Sequence, residues 1–162
     1  MRWLRHVFEF GAVRRRFSPA TLDAIQQAIA ASEAAHLGEI VFAVEGSLPL
    51  AALRRGMTPR ERAQGVFAEL RVWDTAHNSG VLIYLLLADQ AIEIVADRGI
   101  AAAVGDDEWR DVCELMRGPF ARGEYAAGAQ AGIAAVTAIL RRHLPADGIS
   151  NADERPDRPV LL

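Results

Sequence analysis

One run of the sequence restricts the fold more than any other feature. From Val81 to Ala88 the chain reads VLIYLLLA, an apolar run that follows Gly80. It is far shorter than the roughly 18 residues that a membrane-spanning helix needs. Its β-branched, aromatic and leucine content instead predicts a strand that is buried on both faces, from Gly80 to Leu87. A strand of that kind requires a layer of other elements on each side.

Two further strands are predicted beside this run. Ala91 to Ala96 (AIEIVA) follows a short Asp89-Gln90 turn and is predicted to pair with the run as an antiparallel hairpin. Glu39 to Glu45 (EIVFAVE) lies between two glycines and precedes the run by a helical segment. Strands joined by a crossover helix are parallel and right-handed, so the sheet is predicted to be mixed.

Capping signals predict helices around these strands. Ser18-Pro19 begins one that ends before Gly38, and the capping box Thr58 to Glu61 begins another, through about Arg71. Two more are predicted, one after an acidic start at 105–108 and one from 124 to about 143. The order α-β-α-β-β-α-α therefore predicts an α/β fold: a three-layer α/β/α sandwich with a mixed, mostly parallel central sheet and one antiparallel hairpin.

The segments outside this domain have a different composition. Residues 18–145 form the predicted domain, and residues 146–162 are predicted to be a flexible acidic tail because they have no periodicity. Residues 1–17 form a basic amphipathic arm, for which two interpretations remain open. The arm either lies on an anionic membrane surface through Arg14, Arg15 and Arg16, or packs Trp3 and Phe8 on the domain.

Composition excludes several function classes. All 18 basic residues are arginine, which excludes a phosphate-loop lysine and a Schiff-base lysine. A formal net charge of -3 argues against nucleic-acid binding. One cysteine, Cys113, and four scattered histidines do not make a zinc site, and no nucleotide or organic cofactor motif is present. No signal-peptide pattern is found at the start, so a cytoplasmic location is predicted.

Acidic and amide residues near the strand ends are the candidate site. They are Asp74 and Asn78 before the central strand, Asp97-Arg98-Gly99 after the hairpin, and Asp106-Asp107 at a helix start. Hard cations choose carboxylate and carbonyl oxygens, so a weak calcium or magnesium site is predicted with Asp74, Asp97, Asp106 and Asp107 as ligands. The same residues also fit ordinary roles as turn residues and helix caps.

Several stretches together resemble the TPM domain family over roughly residues 18–143. They are HLGEIVFAVE (36–45), RERA (60–63), NSGVLIYLLLADQAIEIVADRGI (78–100) and FARGEYAAGAQAGI (120–133). The resemblance implies an α/β/α sandwich and competing functions, since members are described as acid phosphatases or as calcium-binding, and as accessory modules for membrane complexes. The chain departs from the common arrangement in lacking a signal peptide and a C-terminal membrane helix, and in reading VADRGI at 95–100.

Two function hypotheses follow. The first is a module that binds an unidentified protein partner at or near the cytoplasmic face of the inner membrane, with the basic arm as a peripheral membrane contact. The alternative is a divalent-metal-dependent acid phosphatase, which requires at least two carboxylates to converge on one ion.

Overall fold

The structure is a computed structural model that describes residues 2–9, 11–148 and 155–162. The helices are α1 (Arg2–Phe8), α2 (Val13–Arg16), α3 (Pro19–Glu33), α4 (Leu50–Arg54), α5 (Pro59–Glu69), α6 (Arg98–Ala101), α7 (Asp106–Ala121) and α8 (Tyr125–His143). The strands are β1 (Glu39–Glu45), β2 (Gly80–Leu86), β3 (Ala91–Ala96) and β4 (Val160–Leu161).

The strands form one mixed sheet, which in the described residues has the order β3-β2-β1-β4. β1 pairs in parallel with β2 from Glu39 opposite Gly80 to Glu45 opposite Leu86. β3 is antiparallel to β2. We call the end of the sheet where β1 and β2 begin the amino edge, and the end where they stop the carboxyl edge. The predicted hairpin, the parallel crossover and the mixed α/β fold class are confirmed.

Side chains alternate between two cores along β2, which explains its uninterrupted apolar run. Val81 and Ile83 point into the core formed with α3, α7 and α8, whereas Leu82 and Tyr84 point into the core formed with α4 and α5. Full burial of one such aliphatic side chain contributes about 1.5–3 kcal/mol relative to exposure. The sheet is therefore the middle of three layers.

Helices α7 and α8 pack closely because α8 carries glycine opposite bulky side chains of α7. A Cβ atom at Gly128 would lie 2.6 Å from the Phe120 ring, and one at Gly132 would lie 2.2 Å from Met116 Sδ. The close approach leaves Met116 fully buried. Within the part of the chain described, none of the helices combines the length and the apolar content needed to cross a bilayer.

The described residues before Ser18 form two short helices, α1 and α2, that pack on the domain. His6, Val13 and Phe17 are buried, and the Phe17 ring centroid lies 5.0 Å from that of Tyr125. Trp3 is 53% exposed, so the buried contact is made mainly by other side chains. The predicted packing of the Phe8 side chain lies outside the described part. These residues pack on the domain because Val13 and Phe17 bury their apolar side chains in the same core as side chains of α3 and β1.

The end of the tail forms a strand, in contrast to the flexible extension predicted for it. Val160 and Leu161 form β4, which pairs in parallel with Ala43 and Val44 of β1. Leu162 N donates a further hydrogen bond to the carbonyl of Val44 at 2.9 Å. A two-residue strand has no periodicity for a sequence pattern to detect. The prediction for residues 149–154 lies outside the described residues.

Candidate functional site

Four of the predicted site residues meet at the amino edge of the sheet. The carbonyl of Asn78 accepts a hydrogen bond from Gly99 N at 2.9 Å, and its side-chain Oδ1 accepts one from Arg98 Nη2 at 3.2 Å. The backbone N–H of Asp97 donates to the carbonyl of Gly80 at 2.8 Å. This cluster joins the start of β2 to the end of β3.

Asp97 is the N-cap of α6. Its Oδ1 atom accepts a hydrogen bond from Arg98 N at 2.7 Å. Its Oδ2 atom is buried and has no hydrogen-bond partner among the described residues. A capping carboxylate satisfies a helix N–H group that has no other partner, so one of its oxygens is already used for structure.

Backbone contact explains the glycines of this cluster. A Cβ atom at Gly99 would lie 2.5 Å from the carbonyl oxygen of Asn78, and one at Gly80 would lie 1.9 Å from that of Val72. Asn78 itself has a φ of 49°, in the left-handed region that asparagine tolerates. The loop before β2 therefore sits against two glycines that leave no room for a side chain.

Asp74 lies in the loop before β2, where it forms ion pairs. Its Oδ2 atom is 2.6 Å from Arg71 Nη2 and 3.6 Å from Arg155 Nη2. Surface pairs of this kind contribute about 0–1 kcal/mol. The carboxylate therefore has cationic partners from within the chain.

Asp106 and Asp107 occupy the first turn of α7. Gly105, not Asp106, is the N-cap, so the acids act on the positive end of the helix dipole and not as caps. Asp107 also pairs with Arg110, one turn later in the helix. The described residues contain no group of three or more His, Cys, Asp or Glu side chains arranged to hold a metal ion. The calcium or magnesium site and the phosphatase that depends on it stay predictions.

The carboxyl edge holds a buried cluster that the sequence analysis missed. His6 Nε2 donates to Asp89 Oδ1 at 3.1 Å, while His6 Nδ1 accepts a hydrogen bond from Leu48 N at 3.0 Å. Arg2 binds the same carboxylate through two of its nitrogens, at 3.0 and 2.7 Å. Burial alone would raise the pKa of Asp89, but the hydrogen bonds from Arg2 and then from His6 hold it below its usual value.

A second buried cluster lies at the end of β1. Tyr84 Oη donates to Glu45 Oε2 at 2.6 Å, and Arg62 Nε donates to the same oxygen at 2.8 Å. Burial, followed by the hydrogen bond to Glu45, raises the pKa of Tyr84. Both clusters are internally paired, so they anchor α1 and α5 to the sheet.

The buried side chains of Ser32 and His36 do not form a nucleophilic pair. His36 Nδ1 accepts a hydrogen bond from Gly38 N at 3.2 Å, so its Nε2 atom carries the proton and donates to Ser32 Oγ at 2.8 Å. A general base would have to accept a proton from the serine instead. Burial lowers the pKa of His36, which keeps the ring neutral. The pair is structural.

An apolar cavity of about 940 Å³ opens at the carboxyl edge between α1, α2, α4 and the ends of β1 and β4. Large apolar side chains at its rim are strongly exposed: Trp3 by 53%, Val7 by 54% and Leu50 by 46%. Exposed apolar groups that cluster in this way mark interaction sites more often than isolated ones do. The lining consists of Trp3, His6, Val7, Gly11, Val13, Arg14, Glu45, Gly46, Ser47, Leu48, Pro49, Leu50, Leu53, Leu161 and Leu162.

Arginines dominate the charge of the elements around this cavity. Of the three arginines predicted to contact a membrane, Arg16 pairs with Glu9 at 2.6 Å. Arg14 and Arg15 are exposed and have no ion pair within the described residues, and the same is true of Arg54 and Arg55 at the end of α4. The carboxylates near the cavity, in contrast, are paired. The face formed by α1, α2 and α4, which we call the basic apolar face, therefore combines exposed apolar groups with positive charge.

Glu33 is a buried carboxyl at the amino edge, beside Glu39 and the tail. Its Oε1 atom accepts a hydrogen bond from Ile40 N at 3.0 Å, and Glu39 Oε2 accepts one from Arg155 N at 3.3 Å. Burial, together with the charges of Glu39 and Asp157, raises the pKa of Glu33 to about 9 against the lowering effect of the Ile40 hydrogen bond. Glu33 is therefore neutral in the folded chain at pH 7.

This pKa predicts how stability depends on pH. Between the ordinary carboxyl value of 4.5 and about 9, the folded chain binds a proton that the unfolded chain releases. The free energy of unfolding should therefore fall as pH rises through this window, by up to about 1.4 kcal/mol per pH unit. Glu33→Gln, which cannot ionise, is expected to reduce that slope and to be more stable than the wild type near pH 8. Urea unfolding at several pH values measures both quantities.

The matched control is Glu114→Gln, which removes an exposed carboxylate paired with Arg117 on α7. Its pH slope should equal that of the wild type. A Glu33→Gln variant with an unchanged slope would contradict the neutral state of Glu33.

A helical pattern in the first residues could have indicated the basic apolar face. Trp3, His6 and Val7 follow the i, i+3, i+4 spacing of one helix face, and all three line the cavity. The partners of the buried charges lie too far away in the sequence for a pattern to reveal them; His6 and Asp89 are 83 positions apart.

Comparison with known proteins agrees with the fold and the resemblance. The NMR structure of the BA42 protein from the psychrophilic bacterium Bizionia argentinensis is similar to this chain, with 27% identity and a TM-score of 0.74, over 90% of this chain and 94% of that one. No curated protein matches the chain. The family model of the TPM domain matches residues 14–139, from α2 to the last turns of α8. This chain therefore belongs to the TPM domain family.

Proposed function

We propose that this chain is a non-enzymatic accessory module that binds a membrane-bound protein partner and attaches peripherally to the anionic, cytoplasmic face of the membrane. The observation that carries the proposal is the basic apolar face, where the exposed Trp3 and Val7 line the same cavity as Arg14. Neither Arg14 nor the neighbouring Arg15 has an ion pair among the described residues. Interfacial helices combine the same two features, an apolar face and basic residues.

Two kinds of interaction contribute to such attachment. A basic residue near an anionic surface contributes about 1 kcal/mol, and the effect falls off within a Debye length. Tryptophan and leucine add burial of apolar area in the headgroup region, where the indole N–H still reaches water. Neither contribution alone gives stable attachment, so the proximity of the arginines to the apolar rim is essential.

The orientation of the domain also supports this contact. Arg2 and His6 fix α1 to Asp89, and Arg2 Nη2 also donates to the carbonyl of Met57 at 2.8 Å. These contacts hold the exposed side of α1 in one direction relative to α4. A preorganised face binds with less loss of conformational entropy than a flexible arm.

Vesicle sedimentation tests the attachment. The full chain is expected to bind vesicles of phosphatidylglycerol and phosphatidylcholine at low salt, and to be released by salt or by the omission of phosphatidylglycerol. Replacing Arg14 and Arg15 by glutamine should weaken binding roughly 30-fold, at about 1 kcal/mol for each arginine. The double variant Arg110→Gln with Arg117→Gln removes the same charge from α7 and should leave binding close to that of the wild type.

Equally tight binding to vesicles with and without phosphatidylglycerol would contradict the proposal. An equal loss of vesicle affinity in the two double variants would also contradict it. Absence of binding at low salt would do so as well.

A further inference from the structure

We propose that the cavity on the basic apolar face binds the hydrocarbon chain of a long-chain carboxylate, with the carboxylate head at Arg14. The inference rests on the proposed function, since it names a ligand for the same face. The cavity of about 940 Å³ lies within the roughly 300–1,000 Å³ of small-molecule sites.

The polarity of the lining specifies the body of the ligand. His6 uses both ring nitrogens, one with Asp89 and one with Leu48 N. Glu45 is bound by Tyr84 and Arg62. The His6 ring therefore offers no open nitrogen to an occupant, and Glu45 Oε2 already accepts two hydrogen bonds. The rest of the wall is largely aliphatic, contributed by α4, by α1 and by the residues that follow β1 and β4. A polar ligand body would lose its hydration without replacement hydrogen bonds, so an apolar body is favoured.

The charge of the lining specifies the head of the ligand. Arg14 lines the cavity and has no ion pair in the described part of the chain. One guanidinium matches one carboxylate through two parallel hydrogen bonds. Because Glu45 is paired with Arg62, its repulsion of an anionic head is reduced. The complementary ligand is therefore a monoanion with an alkyl chain.

The position of the cavity agrees with a binding role. It lies where β1 ends and the chain continues through Gly46 and Ser47 into α4. Open α/β sheets bind ligands in the crevice beyond the carboxyl ends of their strands. The occupant of the cavity thus enters from the side that is proposed to face the membrane.

Titration with decanoate, below the concentration at which it forms micelles, tests the inference. The side-chain indole N–H signals of Trp3, Trp73 and Trp109 are followed by NMR, and Trp3 alone lines the cavity. We expect a saturable shift of the Trp3 signal with the other two unmoved. Arg14→Gln should weaken binding at least about ten-fold, as loss of a charge-assisted hydrogen bond implies. Decanol, which has the same chain without the charge, should bind correspondingly more weakly.

A matched pair of variants locates the site. Leu50→Glu places a negative charge at the cavity rim and should weaken decanoate binding, whereas Leu115→Glu makes the same change at an exposed leucine of α7 and should not. A shift spread evenly over the three indole signals, equal binding of decanol, or equal effects of the two glutamates would overturn the inference.

The vesicle experiment separates the two proposals. Attachment to anionic vesicles without decanoate binding overturns the cavity inference and supports the proposed function. Saturable decanoate binding at Trp3 without vesicle attachment overturns the proposed function and supports the cavity as a site for a soluble carboxylate.

Discussion

Replacing Gly80 by alanine is expected to lower the free energy of unfolding by about 3 kcal/mol or more, the upper end of overpacking costs. The new Cβ atom would lie 1.9 Å from the carbonyl oxygen of Val72, and that oxygen belongs to backbone that cannot rotate aside. Gly80 also begins β2 and accepts the hydrogen bond from Asp97 N, so a shift of this residue disturbs the whole amino edge. Urea or thermal unfolding gives the measurement.

Gly65→Ala is the matched control for this substitution. Gly65 lies inside α5, where a Cβ atom would meet nothing closer than 3.9 Å. Alanine favours a helix over glycine by up to about 1 kcal/mol, so this variant should be more stable than the wild type. Equal effects of the two substitutions would show that the close contact at Val72 is absent.

Deletion of residues 155–162 should cost about 2 kcal/mol or more. The deletion removes β4 and the hydrogen bond from Leu162 N to Val44, and each such bond contributes about 1 kcal/mol. It also removes the buried Pro159 and uncovers one edge of β1. Water would then reach Glu33, which would lower the pKa that burial raises. The free energy of unfolding should therefore depend less steeply on pH in the deleted chain.

Arg158→Gln serves as the control for the deletion. Arg158 is exposed and pairs with Asp23 at 3.3 Å, so its loss should change stability by less than about 1 kcal/mol. A deleted chain with the thermal midpoint of the wild type would contradict a stabilising role for β4.

The long elements could be predicted from the sequence because their signals are local. The run at β2 alternates between two cores, and the Ser18 and Thr58 caps are formed as predicted. Short elements gave no comparable signal: α4 spans only Leu50–Arg54, and β4 has two residues. Such elements form because neighbouring surface is available, which is a property of the tertiary structure and not of the local sequence.

The candidate site was predicted only in part, for a related reason. Asn78, Asp97, Arg98 and Gly99 do meet at one edge of the sheet, as residues at strand ends do. Asp74 and Asp107 instead have arginine partners three residues away in the sequence. The basic amphipathic arm was predicted, but the face that it forms with α4 was not, because the packing of α1 on the sheet through His6 and Asp89 brings these elements together.

Amide hydrogen exchange of the full chain, with and without phosphatidylglycerol vesicles, tests most directly the claim that the basic apolar face is the membrane contact. We expect slower exchange in α1, α2, α4 and the end of β4, with α7 unchanged. Slower exchange confined to α7 or to the amino edge of the sheet, or no change in any segment while the chain is bound, would contradict it.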